Sequence, residues 1–156
     1  MTAAVTGDEF ADICQVLTSY GHAIDNADWG LFTEILDPRF VLEAGSTVFG
    51  SPDALRRNIE SVEALPAHHI GIPLLIRLGA DVVRAWSKFH VVSADGTTRS
   101  GDYIDILTRT GDRWRLAHRE VWRRYDVAVD PDRSSQKRIT LELARTAPIP
   151  STLEAP

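Results

Sequence analysis

The feature that most constrains the fold is a series of four segments after residue 67 in which apolar and polar side chains alternate. Alternation with a period of two is typical of β-strands. The breaks are short, at Gly79-Ala80, Asp95-Gly96 and Gly111-Asp112, and an Asp-Gly pair favours a tight hairpin. Strands joined by such short links must be antiparallel. We place the strands near 67–78, 81–93, 97–109 and 113–124.

Helical signals dominate the chain before this meander. Thr6 and Glu9 have the spacing of a capping box, and an apolar stripe follows them as far as Asn26. Ser51-Pro52 supplies an N-cap and a proline in the first turn of a later helix. The predicted helices cover about 6–26, 28–36, 51–64 and 131–145, and two short strands cover 40–43 and 47–49.

Three helices followed by a meander predict an α+β fold, with the helices packed on one face of a curved antiparallel sheet. The length of 156 residues suits a single domain with one core. We assign that domain to 1–130. Residues 131–156 are predicted to form a C-terminal helix and a loose tail.

Charge and cysteine content exclude several functions. A net charge of −5 argues against a nucleic-acid partner, because such proteins normally carry a basic surface. Cys14 is the single cysteine, so neither an internal disulfide nor a thiolate metal site is expected. The first residues lack the features of a signal peptide, and no segment is long and apolar enough to cross a membrane. A cytoplasmic protein without membrane contact is expected.

The two faces of the strands differ in character. One face of strands 81–93 and 113–124 carries mainly small apolar residues, which suits a core or a pocket. The other face mixes tryptophans with charges, which suits a surface covered by another subunit, and we therefore expect a homo-oligomer, either a dimer or a trimer. The first set is Val83, Ala85, Ser87, Phe89, Val91, Ala117, Arg119 and Val121; the second is Arg84, Trp86, Lys88, His90, Trp114, Leu116, His118, Glu120 and Trp122.

An aspartate and a histidine form the candidate catalytic pair, because a carboxylate that holds an imidazole creates a general base near neutral pH. Asp25 lies in the last turn of the first helix, and His68 and His69 open the first long strand. Alternation leaves open which histidine faces Asp25, since Pro73 favours a bulge nearby. Neighbouring strand residues point to opposite faces, so the two histidines cannot easily share an ion, and no metal is expected.

Four stretches resemble the SnoaL-like family of the NTF2-like superfamily. They are Tyr20-Gly-His-Ala-Ile-Asp25, Ala67-His68-His69-Ile70-Gly71, Gly101-Asp102-Tyr103 and the segment from Trp114 to Arg119. The resemblance covers roughly Asp8 to Trp122. It implies an NTF2-like cone and is strongest to the Asp/His-dyad branch, which includes scytalone dehydratase, bile-acid 7α-dehydratase and a dehydrochlorinase.

The resemblance implies a role for individual residues. Asp25 matches the aspartate of the dyad, His69 matches its histidine through the His-x-Gly spacing, and Tyr20 and Arg119 match a catalytic tyrosine and arginine. Asparagine often follows the histidine by four residues in this family, whereas this chain has Pro73 there. Without the resemblance, Asp25 and His69 could equally be polar residues with structural roles. The candidate substrate-binding residues are Tyr103, His90, Phe89 and Trp29, although His90 shares a charged face that favours the surface.

The expected function is that of a cofactor-free lyase or isomerase of the dehydratase type. The histidine would remove a proton next to a carbonyl of a polyketide-, terpenoid- or steroid-like small molecule. One alternative is a polyketide-type cyclase that acts mainly by orienting its substrate. The other is a non-catalytic protein, either a ligand-binding module or the structural β-subunit of a ring-hydroxylating dioxygenase.

Overall fold

The computed structural model describes residues 4–126 and 140–153. Helices and strands follow one another as the sequence predicts, with three helices before the long strands. In chain order the elements are α1 (Gly7–Asp25), α2 (Trp29–Ile35), β1 (Leu36–Ala44), β2 (Thr47–Phe49), α3 (Pro52–Glu60), β3 (Ala67–Ile70), β4 (Leu74–Gly79), β5 (Val82–Val92), β6 (Thr98–Thr110), β7 (Arg113–Asp126), α4 (Leu141–Thr146) and a 3-10 turn (Ser151–Leu153).

The helix starts are those that the capping residues predict. Glu9 N donates to Thr6 Oγ1 at 3.3 Å and Thr6 N donates to Glu9 Oε2 at 3.0 Å, which completes the capping box of α1. The Ser51 side chain caps α3, and Pro52 follows it in the first turn. The ends are less well predicted, since α3 ends at Glu60 rather than near Ala64. The predicted helix at 131–145 lies largely outside the described residues, and α4 covers only its end.

The sheet is mixed rather than purely antiparallel. Its strand order is β2-β1-β7-β6-β5-β3, with β4 also paired to β5. The long strands β5, β6 and β7 form the predicted antiparallel meander. However, β1 pairs with β7 in parallel, a contact between distant segments that local patterns do not reveal. The predicted strand 67–78 is two strands, β3 and β4, interrupted at Gly71, Ile72 and Pro73.

A β-bulge in β7 corrects the predicted faces. Leu107 is opposite Leu116 and Ile106 is opposite His118, so Ala117 is the extra residue. A bulge shifts the alternation by one residue. As a result Trp114 and Leu116, which the sequence pattern placed on the outer face, are buried in the core with the helices.

Helices α1, α2 and α3 pack against the inner face of the sheet and enclose the main core with it. The outer face is partly covered by the C-terminal segment of the same chain. Arg84, only 2% exposed, donates to Ala144 O at 2.6 Å and Ala147 O at 2.7 Å. The predicted cover by another subunit stays a prediction. Within the described residues, no helix has the length and apolar character needed to span a membrane.

Candidate active site

A cavity of about 500 Å³ opens between the helices and the inner face of the sheet. Most of its wall is apolar and comes from α1, α3, β1 and β5. Its size and character suit a small organic molecule. The apolar part of the wall includes Ile24, Leu42, Leu55, Ile59, Phe89 and Val91.

An aspartate and a histidine meet on one side of this cavity. Asp25, the last residue of α1, places Oδ1 at 2.5 Å from Nδ1 of His68. Its Oδ2 accepts a hydrogen bond from the backbone N–H of His68 at 2.6 Å. The carboxylate therefore holds both the ring and the backbone of His68. With Nδ1 donating to Asp25, the proton-free nitrogen is Nε2, which can act as a base.

Close packing of α1 on β3 makes this contact possible. Gly21 lies one helical turn before Asp25, and a Cβ atom added to it would lie 3.2 Å from Cβ of His68. Few side chains tolerate so short a separation. The absence of a side chain at residue 21 lets the helix approach the strand until the Asp25 carboxylate reaches the imidazole.

The prediction that His69 pairs with Asp25 is wrong. His68 lies opposite Val91 in the β3–β5 pair, whereas His69 lies opposite His90. Directly opposite residues share a face of the sheet, and Val91 lines the cavity. His69 and His90 therefore project from the outer face, where their ring centroids are 6.1 Å apart. The interruption at Gly71–Pro73 comes after the histidines and does not turn His69 inward.

The environment of His68 favours the neutral imidazole. Burial lowers the pKa of His68 below its ordinary value of 6.5, and the hydrogen bond that His68 donates to Asp25 opposes this effect without cancelling it. Among the described residues, no protein group forms a hydrogen bond with Nε2. A neutral ring with a free nitrogen at the cavity wall is suited to accept a proton near pH 7.

Arg119 is buried behind the cavity rather than on its surface. Its side chain and that of Asp105 are both fully buried, and they form two hydrogen bonds of 2.7 and 2.8 Å. Burial disfavours the charged guanidinium, but the Asp105 carboxylate prevails and raises the pKa of Arg119. The sequence analysis missed Asp105, although it alternates with Tyr103 along the inner face of β6.

Two tyrosines enclose the guanidinium of Arg119. Its Cζ atom lies 4.0 Å from the ring centroid of Tyr20 and 3.8 Å from that of Tyr103, which are cation–π distances. Both tyrosines line the cavity. Burial raises the pKa of each phenol, although the charge of Arg119 opposes this rise. Tyr20 and Tyr103 therefore keep their protons and can donate hydrogen bonds to a ligand.

Two of the four candidate substrate-binding residues line the cavity. Phe89 stacks on Tyr103 with ring centroids 4.3 Å apart. No side chain fits at residue 101 beside this stack, since a Cβ atom there would lie 2.0 Å from Trp122 O and 2.9 Å from the Phe89 ring. Trp29 instead packs against Phe32, and His90 lies on the outer face, so neither reaches the cavity.

Polar residues also line the cavity, three of them in or beside the hairpin between β5 and β6, and the sequence analysis did not single them out. They are Asn58, Ser93, Asp95, Arg99 and Arg123. Alternation along the inner face of β6 could have placed Arg99 with Tyr103. No set of three or more histidine, cysteine or acidic side chains that could hold a metal occurs within 4–126 and 140–153.

The SnoaL-like domain family matches residues 8–120. This chain belongs to that family. The cone of helices on a curved sheet places the SnoaL-like protein among the NTF2-like folds. A search among curated proteins found no match in sequence.

Solved structures share the fold at low sequence identity. A candidate scytalone dehydratase from Novosphingobium aromaticivorans is 14% identical, with a TM-score of 0.69 over 79% of this chain and 89% of that one. A hexachlorocyclohexane dehydrochlorinase from Novosphingobium barchaimii is 14% identical, with a TM-score of 0.67 over 75% and 87%. The beta subunit of a candidate aromatic-ring-hydroxylating dioxygenase from N. aromaticivorans is 19% identical, with a TM-score of 0.62 over 77% and 92%. These likenesses establish the fold.

Proposed function

We propose that this SnoaL-like protein is a cofactor-free lyase or isomerase in which His68 removes a proton from carbon next to a carbonyl group. The observation that carries the proposal is the 2.5 Å contact between Asp25 and His68 at the wall of an apolar cavity. Two structural relatives named as a dehydratase and a dehydrochlorinase support the same class of reaction.

The first step transfers a proton from the substrate to Nε2 of His68. The electron pair of the broken C–H bond moves into the carbonyl group and forms an enolate oxygen. The resulting imidazolium carries its second proton on Nδ1, where the Asp25 carboxylate stabilises the new positive charge. Such general base catalysis typically contributes about 10²–10⁴-fold to the rate.

The enolate oxygen needs a hydrogen-bond donor, and Tyr20 is suited to that role. Its ring lies edge-on to His68 with centroids 6.2 Å apart, and its phenol stays protonated. One donor aimed at a developing oxyanion is worth on the order of 10²–10³-fold. Arg119 acts through the tyrosines that it holds, because its own charge is matched by Asp105 and it does not reach the cavity.

The enolate then collapses in one of two ways. In a dehydration, the C–O bond of a β-hydroxyl group breaks, and the hydroxide leaves as water with the proton from His68. In an isomerisation, the same proton returns to a different carbon. The two outcomes leave the enzyme in its starting protonation state. An apolar wall favours a ring compound of polyketide, terpenoid or steroid character for either reaction.

The test is proton exchange in D₂O with a panel of cyclic ketones, enones and β-hydroxy ketones, followed by mass spectrometry. We expect His68→Ala and Asp25→Asn each to lower the exchange rate at least a hundredfold. His69→Ala is the matched control, because this neighbouring histidine points away from the cavity, and it should retain the wild-type rate. Full exchange activity in His68→Ala would refute the proposed base.

A structural β-subunit is the second candidate function, favoured by the likeness to the dioxygenase beta subunit. Such a subunit would bind a larger chain and would need no reactive dyad. Purification of the protein from its native host distinguishes the two. Stable association with a large iron-containing subunit, together with no exchange in the wild type, would support the structural role.

A further inference from the structure

We propose that Arg99 binds a carboxylate group of the substrate, so that the cavity selects acids over otherwise identical neutral compounds. This inference rests on the proposed function only in calling the ligand a substrate. It names the chemical class of the ligand, which the apolar wall alone does not define.

Arg99 lies in the same row across the sheet as the candidate base. His68 on β3 is opposite Val91 on β5, and Val91 is opposite Arg99 on β6. All three therefore point to the inner face, and all three line the cavity. Adjacent strands are about 4.8 Å apart, so the Cα atoms of His68 and Arg99 are separated by about 9–10 Å.

This spacing suits one ligand that contacts both residues. Side chains stand roughly perpendicular to a sheet, so a molecule lying along the inner face can present a carbon to His68 and a second group to Arg99. A ring compound with a carboxylate several bonds from its reacting carbon has these dimensions. Its ring would occupy the apolar part of the cavity.

Arg99 lines the cavity, and its described hydrogen bond is to a neutral group rather than to a carboxylate. Its Nη2 donates to the neutral Ser93 Oγ at 3.0 Å. Among the described side chains, no carboxylate lies within ion-pair distance of Arg99. Asp95, in the same hairpin, accepts hydrogen bonds from the backbone and hydroxyl of Thr97 at 2.9 and 2.7 Å. These hydrogen bonds are the main cause of the lowered pKa of Asp95, and the charge of Arg99 contributes less to it. Arg119 cannot serve as the anchor, since Asp105 already neutralises it.

A carboxylate is the anion that fits this position best. A guanidinium can donate two parallel hydrogen bonds to it, and such charge-assisted pairs are roughly twice as strong as neutral ones. Arg99 is half-buried, so the pair would be less screened by water than a pair on the surface. Burial is the main cause of the lowered pKa of His68, and the charges of Arg119 and then Arg99 add to it, so Arg99 is close enough for its charge to act on the candidate base.

The experiment uses tetralone carboxylic acids with the acid at each ring position, and the matching primary carboxamides. Calorimetry gives Kd for every pair with the wild-type protein and three variants. We expect at least one acid to bind tenfold or more tightly than its amide. Arg99→Gln should abolish that preference while changing the Kd of the amide less than twofold, and Arg99→Lys should retain part of it.

Arg115→Gln is the matched control, because it removes the same charge from a site away from the cavity, where Arg115 donates to Glu34 O at 3.2 Å. It should leave the preference for acids intact. Arg99→Met serves as a second neutral variant if Arg99→Gln does not fold. The proposal is overturned if no acid binds more tightly than its amide, or if the preference survives in the neutral Arg99 variants.

Binding and turnover separate this inference from the proposed function. If the preference for acids depends on Arg99 but proton exchange does not depend on His68, the proposed proton abstraction is refuted and the carboxylate site at Arg99 is supported. If proton exchange depends on His68 but acids and amides bind equally well, the proposed proton abstraction is supported and the carboxylate site at Arg99 is refuted.

Discussion

Removal of either member of the buried pair Asp105–Arg119 should destabilise the protein strongly. Both side chains are fully buried and joined by hydrogen bonds of 2.7 and 2.8 Å. Loss of one partner leaves an uncompensated charge in the interior, at a cost of about 3–5 kcal/mol. For a domain of this size, 1 kcal/mol corresponds to about 2–4 °C in Tm. Arg119→Met and Asp105→Leu should therefore each lower Tm by about 6–20 °C.

Urea denaturation of both single variants and of the double variant measures this effect as a double-mutant cycle. The double variant should regain most of the lost stability, because it buries no unpaired charge. Arg113→Met is the control, since Arg113 forms an exposed pair with Glu34 at 3.2 Å and should cost less than about 1 kcal/mol. The reasoning would be contradicted if either single variant lost as little stability as Arg113→Met, or if the loss of stability in the double variant equalled the sum of the two single losses.

Two further predictions concern the dyad. Because burial lowers the pKa of His68 below 6.5, the base stays neutral around pH 7. The value of kcat/KM should therefore be constant near pH 7 and fall only as the pH drops below 6.5. A fall in kcat/KM centred above pH 6.5 would contradict the assignment of His68 as the base. Gly21→Val should lower kcat at least tenfold, because a Cβ atom at residue 21 would lie 3.2 Å from Cβ of His68 and would push α1 away from β3. Gly7→Ala is the control. Its added Cβ atom would have nothing within 4 Å, so kcat should be unchanged.

Local chemistry explains which parts of the fold could be predicted from sequence. A capping box and an N-cap act within a few residues, so Thr6 and Ser51 mark the starts of α1 and α3. Turns are equally local. Gly96 and Gly111 adopt φ values of 82° and 61°, a region that glycine enters without strain, and they occupy the predicted breaks between the long strands.

Features that depend on contacts between distant segments could not be predicted. The parallel pairing of β1 with β7 joins residues 77 to 80 positions apart in the sequence. The bulge at Ala117 has no signal of its own, and it moves Trp114 and Leu116 to the opposite face from the one that strict alternation gives. The choice between His68 and His69 likewise depends on a contact between distant segments. It depends on the register of β3 against β5 rather than on the local sequence.

The contacts of Arg119 suggest that binding of an anionic substrate group and positioning of hydroxyl donors belong to two different arginines, whereas the family resemblance points to Arg119 alone. A guanidinium exposed in the cavity would bind an anionic group of the substrate. Because Asp105 neutralises Arg119 and Tyr20 and Tyr103 cover it, this arginine positions two hydroxyl donors instead. Recognition of a charged substrate then falls to Arg99, two strands from His68. Loss of Arg119 should therefore impair folding and turnover, whereas loss of Arg99 should change which ligands bind.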